Sequence, residues 1–164
     1  MNDILRDMQA HYFGIPTTSG NTTTVTYYLG GVIKKLPENS NPIESEKHYI
    51  HQKSATTNVT GYNNEFPITM DMVQGDEVFD DFYQLFYTRA TGTDLKRDHI
   101  IVNLWEPVDG QTNTYKARKI NQTVEIKEAT GDAGAQMEIT GSLKGGDFVY
   151  GTFNTSTKTF TENA

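Results

Sequence analysis

Apolar and polar residues alternate along much of this chain, the pattern of strands with one buried face. In the last third, Met137, Ile139 and Leu143 share one parity, while Gln136, Glu138, Thr140 and Ser142 share the other. A return strand from Phe148 to Phe153 follows, so Gly145-Gly146 predicts a hairpin within Ala135 to Thr161. Upstream, Val25, Tyr27 and Leu29 alternate with threonines and Tyr28 in a strand that Gly30-Gly31 ends. His48 to Gln52 predicts another strand, and a long one spans Asn58 to Val73. In its second half Phe66, Ile68, Met70 and Met72 face one way, and Glu65, Thr69 and Asp71 the other. The run His99 to Trp105 is almost continuously apolar, as in a strand covered on both faces. After the Asp109-Gly110 turn the parity changes, with Tyr115 and Ala117 odd and Ile120, Val124 and Ile126 even. A bulge near Arg118-Lys119 would reconcile the two halves.

A helical period is clear between Asp76 and Ala90. Val78, Phe79, Phe82, Leu85 and Phe86 form one stripe, with acids crowding the first turns and Arg89 near the end. Ile4, Leu5, Met8 and Tyr12 are near helical spacing too, which predicts a short N-terminal helix from Asn2 to Phe13 or an arm that orders against a neighbour. From Leu36 to Glu46 the sequence is polar, aperiodic and holds two prolines, so a long exposed loop is expected. The sum is seven or eight strands and one convincing helix. That is a mainly β single domain, a two-sheet sandwich or partly open barrel with a flanking helix, and residues 1–20 as a flexible arm.

Composition narrows the function. With 21 acidic and 14 basic side chains the net charge is −7, and no basic cluster tracks a phosphate backbone. The chain has no cysteine, hence no disulfide, thiolate metal site or cysteine nucleophile. No signal peptide or membrane-spanning run is evident. His48 and His51 at i, i+3 on a strand would point to opposite faces, and the acids at Asp76, Glu77, Asp80 and Asp81 suit a helix start. No nucleophile elbow, Walker loop or dinucleotide fingerprint is present. Neither a cofactor nor an enzymatic activity is expected. With nine tyrosines, a carbohydrate-binding β-sandwich stays open as a different class of function.

One set of residues carries a family pattern: Gly75-Asp76-Glu77-Val78 at the helix start, the Tyr115 to Ile126 strand with Ala117-Arg118, Gly141, Gly145-Gly146-Asp147, Gly151-Thr152-Phe153 and Phe160-Thr161. From Gly61 onward the chain resembles the major tail tube proteins of bacteriophages with long, non-contractile tails. The resemblance implies a structural virion protein, made in the host cytoplasm, whose hexameric rings stack into a tube for genome passage. It also implies tape-measure, tail-terminator and distal tail proteins as partners, with DNA passing through unbound. A tube protein of a phage-derived contractile particle or type VI-like system is the alternative. On this reading Glu65, Thr69 and Asp71 are candidate lumen residues. Pro37, Glu38, Asn39, Pro42 and Glu44 are candidates for contact with a neighbouring subunit.

Overall fold

The computed structural model describes all 164 residues, Met1–Ala164. Eleven strands are present: β1 (Gln9–Ser19), β2 (Thr22–Leu29), β3 (Ile33–Lys35), β4 (Pro42–Lys47), β5 (Thr56–Tyr62), β6 (Glu65–Asp71), β7 (Lys96–Pro107), β8 (Thr114–Thr130), β9 (Glu138–Lys144), β10 (Phe148–Asn154) and β11 (Thr159–Glu162). The helix α1 is Glu77–Tyr87, and short 3-10 turns sit at Arg6–Met8 and Gly92–Leu95. Nine strands form one antiparallel sheet in the order β2-β1-β7-β8-β9-β6-β3, with β10 and β11 branching from β8. The large sheet does not close into a barrel, and β4 and β5 make a separate two-stranded sheet.

The 17-residue β8 organises this arrangement. One edge pairs with β7, while the other serves two strands in turn, β10 along Thr114 to Ile120 and β9 along Thr123 to Thr130. Strands β9 and β10 therefore run end to end in one direction, and the expected hairpin between them does not form. Gly146 is the reason. Its φ is +85°, and a Cβ there would lie 2.2 Å from the Asn121 carbonyl oxygen, so the backbone kinks where only glycine fits. Before the kink β9 pairs with β6 along its other edge, and past it β10 turns back into β11. Gly146→Ala should cost about 3 kcal/mol in denaturant unfolding, combining backbone strain and a clash. Gly145→Ala, with a positive φ but open space, should cost about 1 kcal/mol.

Two cores explain the parity change in β8 without a bulge at Arg118-Lys119, where pairing to β7 and β10 is continuous. Strands β1, β7 and β8 send alternate residues to opposite faces. Phe13, Ile101 and Val124 join α1 and the inner faces of β6 and β9 in the larger core. Tyr12, Ile100, Val102 and Ala117 meet Phe153 in the smaller one, where the Tyr12 and Phe153 rings are 4.5 Å apart. The same two-sided demand overrides helical spacing at the N-terminus. Only a 3-10 turn precedes β1, because Tyr12 and Phe13 each fill a different core as neighbours on a strand.

Other expectations shift as well. The expected strand at His48 to Gln52 is a turn region, and the long strand from Asn58 is two, broken at Asn63-Asn64. Half of the expected loop from Leu36 is the strand β4.

Helix α1 follows its sequence signals. Asp76 caps it by accepting from the Phe79 N–H at 2.9 Å, and Val78, Phe79 and Phe82 are buried. At its end Arg89 adopts φ +53°, while the Ala90 N–H donates to the Leu85 carbonyl and the Arg89 N–H to that of Phe86. A two-pronged ion pair between Asp81 and Arg97, 2.7 and 3.0 Å, ties the helix to β7 with both side chains largely buried. Asp81→Ala strands the guanidinium and should cost about 3 kcal/mol, seen as a lower denaturant midpoint at unchanged slope.

Candidate functional site

The sequence-derived residues fall into two places. Glu65, Thr69 and Asp71 share the outer face of β6, opposite the buried Phe66, Ile68 and Met70. Each acid there has a lysine within reach: Lys144 lies 3.9 Å from Glu65 and 3.4 Å from Glu125, and Lys34 lies 3.5 Å from Asp71 and 2.9 Å from Glu138. Each of the two lysines is shared between two acids, so the acidity expected from β6 is reduced, not removed, by Lys34 of β3 and Lys144 of β9.

Pro37, Glu38 and Asn39 form a rigid stem. Leu36 is buried in the larger core, and Glu38 takes both arms of Arg118 at 2.8 Å, with that guanidinium 4.6 Å above the Phe148 ring. Asn39 and Glu65 exchange two backbone hydrogen bonds of 2.9 Å. The Asn63 N–H donates to the Ser40 and Asn41 carbonyls, closing the base. The stem carries the β4–β5 hairpin, where Pro42 and Glu44 lie. Almost every residue of this hairpin is exposed, Ile43, Val59 and Tyr62 among them by half or more. An isolated two-stranded hairpin is at best marginally stable in water, so one held out with apolar side chains bare is a candidate contact surface. Sequence reasoning expected a strand from Asn58, which covers most of β5, and missed β4, whose Pro42–Lys47 run buries no residue and so carries no hydrophobic alternation.

Sheet edges are the second feature. The outer edges of β2 and β11 are unpaired in this chain, as is that of the three-residue β3. Val25 and Leu29 on β2 are about half exposed. Such edges present a row of backbone donors and acceptors to another strand.

A buried polar relay lies beneath the N-terminal arm, built around two histidines that are 88 positions apart in the chain. The Arg6 guanidinium lies 3.0 Å from His11 Nε2, His11 Nδ1 lies 2.8 Å from His99 Nε2, and His99 Nδ1 lies 2.9 Å from Gln122 Oε1. Arg6 can only donate, which fixes the direction. His11 Nε2 accepts from Arg6, its Nδ1–H donates to His99, and the His99 Nδ1–H donates to Gln122. Both imidazoles are thus neutral. Burial pushes His11 down to about 2, helped by His99, Arg6 and Arg118, and burial pushes His99 down to about 4. His99 also stacks on Phe13 at 4.7 Å, so the relay is part of the packing.

No cluster of three or more histidine, aspartate or glutamate side chains is placed to hold a metal, and no helix is long and apolar enough to cross a membrane. Comparison with solved structures adds a likeness of fold. The chain shares its fold with a chain from the cryo-EM structure of the anti-feeding prophage (AFP) baseplate, six-fold symmetrised. The superposition has a TM-score of 0.52 and covers 92% of this chain and 96% of that one, at 7% sequence identity. No protein-family model matches, and no curated protein does. Likeness over nearly the full length of both chains shows that this fold is also found in that baseplate.

Proposed function

We propose that this protein is a structural subunit of a phage-type tail, assembling as hexameric rings that stack into a tube for genome passage. The observation that carries the reading is the β4–β5 hairpin, an ordered arm on a rigid stem with its apolar side chains turned outward. The open edges of β2 and β11 support it, since head-to-tail edge pairing closes a ring while a second contact adds rings along an axis. Its partners are then further copies of itself, with tape-measure, terminator and distal tail proteins at the ends, and its place is the virion. In sedimentation velocity the 18.4 kDa chain should convert, as concentration rises, to a species about six times heavier and to longer assemblies. A single monomer boundary at every concentration would contradict it.

The outer face of β6 is proposed to line the tube, where its paired charges and the net acidity of the chain leave DNA weakly held. Glu65→Lys with Asp71→Lys should reduce infectivity while tubes still form; unchanged infectivity would overturn this assignment. The likeness to a baseplate chain of the anti-feeding prophage favours a second reading, a tube or tube-end subunit of a phage-derived contractile particle. A sheath protein binding the assembled tubes would select that reading over the non-contractile one.

A further inference from the structure

The largest groove on the molecule, about 810 Å³, lies between the N-terminal turn, the start of β1 and the β2–β3 connection. Its walls are apolar at Leu29, Ile33 and Leu104, and its rim carries Arg6, Lys34 and Lys35 against a single acid, Asp7. Lys34 is engaged with Asp71 and Glu138, whereas Arg6 and Lys35 face the groove without a carboxylate partner. On a chain of net charge −7 this is a locally basic, apolar trough.

The hairpin presents the complementary surface. Register places Pro42 opposite Tyr62, Glu44 opposite Val59 and Glu46 opposite Thr57, so these six share one face. That face is apolar and acidic. Glu44 and Glu46 are exposed and form no ion pair, and the hairpin's one strand lysine in β4, Lys47, lies on the opposite face. The stem contacts of Glu38 and Asn39 hold the hairpin in an extended, exposed position, so a chain does not fill its own groove.

We infer that the Glu44/Glu46/Val59/Tyr62 face of one copy seats in the Arg6/Lys35/Leu29 groove of a second copy. The occupant is identified by charge complementarity, acids meeting cations that have no carboxylate partner in their own chain around an apolar centre. Because donor and acceptor surfaces differ, the contact is head-to-tail and propagates from copy to copy. This inference rests on the assembly reading and names the surface that receives the arm.

The absence of cysteine makes the test clean. In the full chain carrying both Glu44→Cys and Lys35→Cys, mild oxidation at high concentration should give a ladder of disulfide-linked oligomers, and either single variant should not. Separately, Lys35→Glu should reduce assembly at least tenfold, and adding Glu44→Lys should restore it. Tubes or rings that form without a ladder, or a purely intramolecular disulfide, would overturn the inference and leave the assembly reading standing. A chain that stays monomeric at every concentration would overturn both. Thermal unfolding of each variant, expected within a few degrees of wild type because both positions are exposed, separates a lost contact from a lost fold.

Discussion

A chain in which residues 41–63 are replaced by a short glycine linker is expected to fold as a stable monomer and to lose assembly completely. The body is spared for structural reasons. No residue of that segment belongs to either core, and the Asn63 N–H already lies 3.1 Å from the Ser40 carbonyl, so a short linker spans the gap with little loop-closure cost. The stem stays in place through Leu36 and the Glu38–Arg118 pair. A deletion of Leu36 to Glu46, which the sequence alone would suggest, removes a core side chain and that ion pair, and so confounds folding with assembly. Thermal unfolding and sedimentation on the same sample test the expectation. A midpoint near wild type with only monomer in solution supports it, and full-length tubes from the hairpinless chain refute it.

The second large effect is acid lability. In the unfolded chain His11 and His99 take up protons below about pH 6.5, while in the folded chain burial holds them neutral down to about 2 and about 4. The unfolded state therefore binds more protons, and stability falls as pH drops below 6.5. Each histidine loses about 1.4 kcal/mol per pH unit across this window, so the pair costs about 4 kcal/mol by pH 5. The charges around the relay act together: Arg6 and Arg118 oppose a proton on His11 and Arg118 opposes one on His99, with Glu38 alone favouring it there. A first proton on either ring also breaks the donor order that Arg6 imposes. Urea unfolding between pH 7.5 and 5 should show this slope, and the apolar replacement His11→Leu, His99→Phe, Gln122→Met should flatten it. A slope unchanged by that replacement would place the acid sensitivity elsewhere.

How much of this was legible in the sequence follows from how local each feature is. The helix was readable because its cap, its stripe and its acids all lie within fifteen residues, and Asp76, Val78, Phe79 and Phe82 sit where the period places them. The mainly β, two-sheet class with one flanking helix was readable from alternation, as was the division of β6 into an apolar and a polar face. The pairing of strands was not. Gly145-Gly146 is a turn signal by composition, yet Gly146 supplies a kink under the Asn121 carbonyl, and only the position of β8 reveals that. A parity change usually marks a bulge, but in β8 it records two cores on two faces of one strand. Among the candidate residues, Glu65, Thr69 and Asp71 do share a face, but the lysines that pair with its acids come from β3 and β9, far away in sequence. Pro42 and Glu44 were found as parts of a loop. The hairpin was hidden because β4 itself buries nothing within the chain and so carries no hydrophobic period, although its partner β5 falls within the strand expected from Asn58.

The central claim is that this fold is a self-assembling subunit. Electron microscopy of the purified, concentrated protein tests it most directly. Annuli of uniform diameter with six-fold symmetry, and tubes built from stacked annuli, are expected; a field of isolated 18.4 kDa particles at the highest attainable concentration would contradict self-assembly.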